Sequence, residues 1–351
     1  MNYKFSLGLA AACLALSATG ALADTVVGAG SSAAAPIYRS WGQAYARVTG
    51  HELAYESAGS SAGMRKIRAR EVGFGASDVA PPRSELDRDG LAVFPIAITG
   101  IAPVVNLPKV GEGQLRLNGG VLARIFMGQI TQWNAQEIAQ LNPGLALPGL
   151  PIRVIVRSDG SGTTYNFADY LAKVSPQWKE RFGVKTSIAW ADGVISAKGS
   201  EGVAKAVRET VGGITYVDFG YVRDYKLVPV QLANPGGEFL SPSNDGFRAA
   251  LSASPWIRSG DFTTTLTNQT GPGAWPITMG TFALVPQVTD TPQETQRALK
   301  FFAWAFLNGD LLVQENNFVR LPNRIQAAAF KVIASVRDRS GQPIGMQLTG
   351  F

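Results

Sequence analysis

The stretch Arg157-Ser158-Asp159-Gly160-Ser161-Gly162-Thr163-Thr164 concentrates residue types that hold an oxyanion. A guanidinium can grip such a group through two parallel N–H bonds. Glycines let a backbone turn tightly and approach a ligand, and a helix start offers free N–H groups at the positive end of its dipole. Two more stretches repeat the pattern: Gly28-Ala29-Gly30-Ser31-Ser32 and Gly59-Ser60-Ser61-Ala62-Gly63. Serine is also the ordinary N-cap, so one such loop alone reads as a plain helix start. Three of them, with Arg157 and Asp78 at the ends of two strands, point to an anion site. Arg157 has a second reading, as a surface arginine paired with Asp159. Both readings hold together if Asp159 fixes the fork that grips the anion.

Asp78 narrows the chemistry. A carboxylate beside an anion repels it unless the ligand brings a proton to donate. Phosphate near neutral pH still carries one or two protons, whereas sulfate carries none. An acceptor-only side chain would then accept phosphate and reject sulfate, because the missing hydrogen bond becomes a clash of lone pairs. The other reading is a capping or turn aspartate ahead of Pro81-Pro82.

Catalytic patterns fare less well. Gly28-x-Gly30-x-x-Ala33 follows a strand and fits the dinucleotide fingerprint, with Glu52 or Glu56 about 20 residues on. That reading leaves the other two loops without a purpose. Gly59-x-Ser61-x-Gly63 fits a nucleophile elbow, which needs a histidine after the nucleophile. His51 is the sole histidine and lies upstream. The same scarcity speaks against a zinc site, and no loop ends in the Gly-Lys-Ser/Thr of a nucleotide P-loop. The expectation is a binding protein without cofactor or metal, not an enzyme.

The elements that must position these residues alternate. Thr25-Val26-Val27, Leu53-Ala54-Tyr55, Val72 to Ala76 and Ile152 to Val156 read as strands. Val93 to Ile98 and Ile101 to Val105 read as two apolar runs split by Thr99-Gly100. One helix carries Ile37, Trp41, Ala44, Tyr45 and Val48 at helical spacing; another carries Phe167, Tyr170, Leu171 and Val174; a third carries Leu299, Phe302, Ala303 and Phe306. Such alternation predicts an α/β fold with mostly parallel sheets, whose ligands bind beyond the carboxyl ends of strands.

The N-terminus has a positive Lys4, an apolar run from Phe5 to Leu16 and a small-x-small site at Ala21-Leu22-Ala23. This is the layout of a cleaved secretory signal over residues 1–23, too short to span a membrane. The only cysteine, Cys13, lies within it, so the mature chain needs no disulfides. The apolar run continues past Cys13, which argues against lipidation there. The net charge of +6 falls to +5 without Lys4. Basic residues cluster only at Arg65 to Arg70, with no aromatic-interleaved stripe of the kind that holds single-stranded nucleic acid. A mature chain of this length suits two lobes.

Taken in order and spacing, the motifs resemble those of the periplasmic phosphate-binding protein of the ABC-type phosphate importer. The resemblance runs over nearly all of the mature chain. It rests on the three Gly/Ser loops, on Val72 to Asp78, on Leu141-Asn142-Pro143-Gly144-Leu145, on Gly213 to Val217 and on Ala274-Trp275-Pro276-Ile277-Thr278. It implies a two-lobed clamshell of the type II periplasmic binding-protein kind. Lobe 1 would be 24–97 plus 272–351 and lobe 2 would be 98–271, with hinge crossovers near Thr99-Gly100 and Ala274-Trp275-Pro276. Carried over by position, phosphate contacts fall on Ser32, Ala33, Ser60, Asp78, Arg157, Ser161, Gly162 and Thr163, with Asp159 orienting Arg157. Where the family usually has threonine and a bulky aromatic, this chain has Ser32 and Ala33. The hydroxyl and the backbone N–H survive that change, while the aromatic packing is lost. The implied partners are the permease and ATPase subunits of an importer, served by a monomer in the periplasm. A secreted phosphate-binding or adhesion protein of the same fold is the alternative; a phosphatase or dehydrogenase is the reading that the residues support least.

Overall fold

A computed structural model of the chain describes residues 24–345. The signal segment 1–23, with Cys13, lies outside the described residues. The elements that matter to the site are, in chain order, β1 (Thr25–Gly30), α1 (Ala35–Thr49), β2 (Glu52–Ser57), α2 (Ser60–Arg68), β3 (Phe74–Ser77), β4 (Leu91–Asn106), β5 (Arg153–Arg157), α3 (Gly162–Val174), β6 (Ile195–Ala197), α4 (Gly199–Glu209), β7 (Gly213–Asp218), α5 (Phe219–Asp224), β8 (Thr278–Pro286) and α6 (Pro292–Asn308).

The main strands lie side by side in the order β2-β1-β3-β8-β4-β7-β5-β6. The fold is α/β, but the sheet is mixed rather than mostly parallel. The pairs β1/β2, β1/β3, β5/β6 and β5/β7 are parallel. Strand β8 runs antiparallel to both β3 and β4, and β4 antiparallel to β7. The reversals occur where the chain crosses from one half of the molecule to the other and returns. The two apolar runs around Thr99-Gly100 are one uninterrupted strand, β4. Its residues up to Gly100 pair with β8 and those from Ile101 pair with β7. Glycine is required at that change of partner, since a Cβ on Gly100 would lie 1.9 Å from the Phe247 ring. Trp275 closes the return crossing by donating its indole N–H to Ile101 O at 2.9 Å.

The core follows the apolar periodicity. In the first half, Tyr38 stacks on Tyr55 at 4.4 Å and meets Phe74, while Phe302 packs edge-on to Phe74 and Phe94. Burial of such rings contributes about 2 kcal/mol each or more to the fold. In the second half, Phe167 stacks on Tyr216 at 4.2 Å. Val48 departs from the expected stripe and is 73% exposed. It sits in the last turn of α1, beyond Tyr45, whose ring meets Trp304 of α6.

The four site-bearing strands end toward the crossing at Gly100, β1 and β3 running to it from one half and β5 and β7, in the opposite sense, from the other. Gly30, Ser77, Arg157 and Asp218 are the last residues of β1, β3, β5 and β7. At the end of β1 the backbones come unusually close. Gly30 has φ +142°, and a Cβ there would sit 2.0 Å from Ala76 O. Gly30→Ala is therefore expected to cost about 2 kcal/mol or more. Urea unfolding measures it as a lower midpoint at unchanged slope; an unchanged midpoint would show that β1 and β3 can separate freely.

Candidate functional site

The first jaw is built by β1, α2 and the end of β3. Asp78 follows β3 directly and is 3% exposed. Ser31 Oγ lies 2.7 Å from both its carboxylate oxygens, and Ser60 Oγ donates to Oδ2 at 3.2 Å. The Asp78 N–H in turn donates to Ser60 Oγ at 3.2 Å. These bonds, rather than a turn or cap before Pro81-Pro82, engage its side chain; the next helix is capped by Pro82 without a side-chain bond. Two tyrosines fix the Ser31-Ser32 peptides from behind. Tyr55 donates to Ser31 O at 2.7 Å and Tyr221 to Ser32 O at 2.9 Å. Ala33, which lacks the family's aromatic, is nonetheless buried.

The second jaw is built by β5, α3, α4 and β7. Arg157 is 5% exposed. Its Nε and Nη2 donate to Asp159 Oδ1 and Oδ2 at 2.8 and 2.5 Å. Asp159 thus holds the fork, and the backbone N–H of Gly199 steadies Asp159 at 2.9 Å. Burial works against both charges. The ion pair outweighs it, keeping the guanidinium above and the carboxyl below their ordinary values. Ser161 caps α3, its Oγ accepting the Thr164 N–H at 3.1 Å, and its own N–H is taken by Thr186 O at 2.8 Å. Gly162 and Thr163 open the helix, where backbone N–H groups have no intrahelical acceptor.

The jaws touch. A Cβ on Gly162 would fall 2.6 Å from Ser60 Oγ and 2.7 Å from Asp78 Cβ. Ser61 N–H donates to Gly160 O at 3.1 Å, and Ser61 Oγ to Thr186 Oγ1 at 3.1 Å. Ser32, Ser60, Asp78, Arg157, Ser161, Gly162 and Thr163 therefore meet around one closed cleft, with Asp159 directly behind Arg157. Gly59 and Gly160 likewise allow the two halves to approach, since a Cβ on the first would fall 2.5 Å from Asp159 Oδ2 and one on the second 2.3 Å from Ser61 Oγ.

Sequence reasoning missed two residues at this cleft. Ser200 Oγ lies 3.0 Å from Ser32 Oγ and 3.3 Å from Arg157 Nη1, and donates to Asp218 Oδ2 at 2.6 Å. Thr163 Oγ1 donates to Asp218 Oδ1 at 3.2 Å. The signals were present. Lys198-Gly199-Ser200 is a fourth strand–Gly–Ser–helix junction, and Asp218 ends an apolar strand much as Asp78 follows one. Among the described residues no group of three or more His, Cys, Asp or Glu could hold a metal ion.

Burial, and after it the Asp218 carboxylate, push Asp78 up to about 7 against the pull of its serine donors. Asp218 is raised by burial too, with Ser200, Arg157 and Thr163 pulling it back. Between the ordinary carboxylate range and about 7, the folded protein binds a proton at Asp78 that the unfolded chain releases. Stability is then greatest below that window, falls as pH rises through it and levels off above it. For the ligand-free protein, Asp78 is expected to remove about 2 kcal/mol between about pH 5.5 and about pH 8, a loss that Asp78→Asn abolishes. Urea denaturation of both proteins at both pH values tests this; a difference between them that ignores pH would contradict it.

The chain was compared with known proteins. The PBP superfamily domain matches residues 16–307. The Phosphate-binding protein PstS of Xylella fastidiosa is 43% identical over 297 residues, covering 85% of this chain and 81% of that one. The Phosphate-binding protein PstS of Haemophilus influenzae is 43% identical over 303 residues, covering 86% and 90%. In three dimensions the chain is similar to a phosphate binding protein from Stenotrophomonas maltophilia, with a TM-score of 0.68 at 19% identity over 88% of this chain and 93% of that one. That likeness shows the two-lobed fold, and the sequence relatives show the family: the chain belongs to the PBP superfamily, among the PstS phosphate-binding proteins.

Proposed function

We propose that the chain binds inorganic phosphate between its two halves and delivers it to an ABC-type import permease. The observation that carries this reading is Asp78. It is a buried acceptor, held by Ser31 and Ser60 against the start of α3. Donors surround the cleft, yet one wall can only accept while it is charged. A tetrahedral oxyanion that keeps a proton satisfies both; one without a proton does not. Ser32, Ser60, Ser161 and Thr163 would supply hydroxyls, and Ala33, Gly162 and Thr163 backbone N–H groups. Asp159 holds Nε and Nη2 of Arg157, while Nη1, which donates to Ser200 Oγ at 3.3 Å, is the edge of the fork that would serve the ligand.

The reading extends to the whole molecule. Lobe 1 comprises 24–97 plus 272–351 and lobe 2 comprises 98–271. They close about the crossings at Thr99-Gly100 and Ala274-Trp275-Pro276. The chain is a monomer working in the periplasm after loss of residues 1–23, and binds without catalysis. Its partners are the permease and ATPase of the importer. Family membership and the jaw geometry support this assignment.

Titration with labelled phosphate is expected to saturate in the micromolar range or below. Excess sulfate should not compete, whereas arsenate, which keeps a proton, should. Asp78→Asn should narrow the preference for phosphate over sulfate. Arg157→Ala should weaken every oxyanion about tenfold to a hundredfold. Strong competition by sulfate in the unaltered protein would refute the role of Asp78.

A further inference from the structure

The phosphate reading, on which this inference rests, counts the Ala33 N–H among the donors of the cleft. We propose that Tyr221 is a positioning residue for that donor: it grips Ser32 O from the other half and so points the Ala33 N–H at the oxyanion when the cleft is closed.

Two successive backbone groups lack partners. Ser32 and Ala33 are 3% and 2% exposed, yet among the described residues neither N–H has an acceptor. Their neighbours are served. The Ser31 N–H donates to Ala76 O at 3.0 Å and the Ala34 N–H to Ser31 Oγ at 3.2 Å. Buried N–H groups without a partner are rare in folded chains. These two follow the end of β1, next to the Ser32 hydroxyl that meets Ser200 across the cleft.

The carbonyl before each N–H sets its direction. A peptide is planar and none of the described ones is cis, so an N–H points opposite to the preceding C=O. Whatever holds Ser31 O therefore aims the Ser32 N–H, and whatever holds Ser32 O aims the Ala33 N–H. Tyr55 holds the first at 2.7 Å and Tyr221 the second at 2.9 Å, while the Ala35 N–H reaches Ser32 O only at 3.4 Å. The two tyrosines differ in origin. Tyr55 stands on β2, paired with β1 in the same half. Tyr221 stands on α5, three residues past Asp218, and reaches across.

Tyr221 is itself braced. Its ring stacks on Tyr225 at 6.1 Å, and Tyr225 donates to Glu201 Oε1 at 2.9 Å. Glu201 follows Ser200, whose N–H donates to Ser32 Oγ at 3.1 Å. The second half thus holds Ser32 by its carbonyl and its hydroxyl together. Ala33 has only a methyl group with which to fix its own peptide, so its N–H depends on that outside grip. A donor already aimed spares the ligand the cost of ordering it.

Tyr221→Phe removes the hydroxyl and keeps the ring; Tyr55→Phe does the same within one half. Calorimetry with inorganic phosphate, stopped-flow release and amide NMR of the full mature chain test the proposal. In the unaltered protein, saturating phosphate should move the Ala33 amide proton downfield, as for an N–H that gains a charged acceptor. In Tyr221→Phe that shift should shrink. Affinity should fall about tenfold through faster release, with the preference for phosphate over sulfate kept. In Tyr55→Phe the Ser32 amide should lose its shift and the Ala33 amide keep it. Wild-type affinity in Tyr221→Phe overturns the inference and leaves the phosphate reading standing. So does weaker binding with a full Ala33 shift, which would make Tyr221 only a contact between the halves. If Tyr221→Phe does not fold, the unaltered protein decides: an Ala33 amide that moves downfield sustains the inference, and one that ignores phosphate overturns it. Absence of saturable binding in the unaltered protein overturns the phosphate reading and this inference with it.

Discussion

The cleft buries two carboxylates, Asp78 and Asp218, and half-buries a third, Asp159, against the single guanidinium of Arg157. Unpaired, a buried carboxylate costs several kcal/mol. Much of the surrounding structure answers that imbalance. Asp159 is matched ion to ion, at bidentate distance. Asp78 and Asp218 are matched by hydroxyls: Ser31 and Ser60 for the first, Ser200 and Thr163 for the second. The site is thus cationic in only one place and is otherwise polar by dipoles and exchangeable protons. On the proposed reading, such a wall would distinguish ligands by their protons more than by their charge.

Parts of this were legible in the chain because the signal was local. Arg157 and Asp159 are two residues apart on one strand end, so their pairing needs no tertiary knowledge. Asp78 stood out because an apolar strand runs straight into it. Ser161 illustrates both readings of a Gly/Ser loop at once: it caps α3, and the next residue, Gly162, packs against Ser60 and Asp78 of the other jaw. Asp218 and Ser200 were harder to see. One terminates an apolar strand whose motif was read only as far as Val217. The other follows a single glycine rather than a doubled Gly/Ser run. What brings them to Arg157 is the pairing of β5 with β6 and β7, and that register is set by packing far along the chain. The same limit applies to β4. Thr99-Gly100 looked like a break because glycine weakens a strand, yet Phe247 occupies the space that a side chain would take.

The glycines of the site loops have a role that ligand contact alone does not require. Gly59, Gly160 and Gly162 lie along the line where the halves meet, and a methyl at any of them would strike Asp159, Ser61 or Ser60 on the facing jaw. A ligand-contact glycine and a closure glycine are indistinguishable in sequence. Here the structure assigns the second role on geometry, and the contact sets hydroxyls of one half against hydroxyls of the other, Ser32 against Ser200 and Ser61 against Thr186.

Strand β4 gives the molecule a mechanical property of its own. Its sixteen residues belong to both halves, first as a partner of β8 and then of β7. Loss of order in either half strips hydrogen bonds from a strand that the other half also uses. A swing of the halves about Gly100, as proposed above, would leave both ladders in place, whereas unfolding of one half would weaken the other. Opening on the proposed hinge and unfolding would then draw on different reservoirs of free energy, and a loosely latched cleft is compatible with a firmly folded chain.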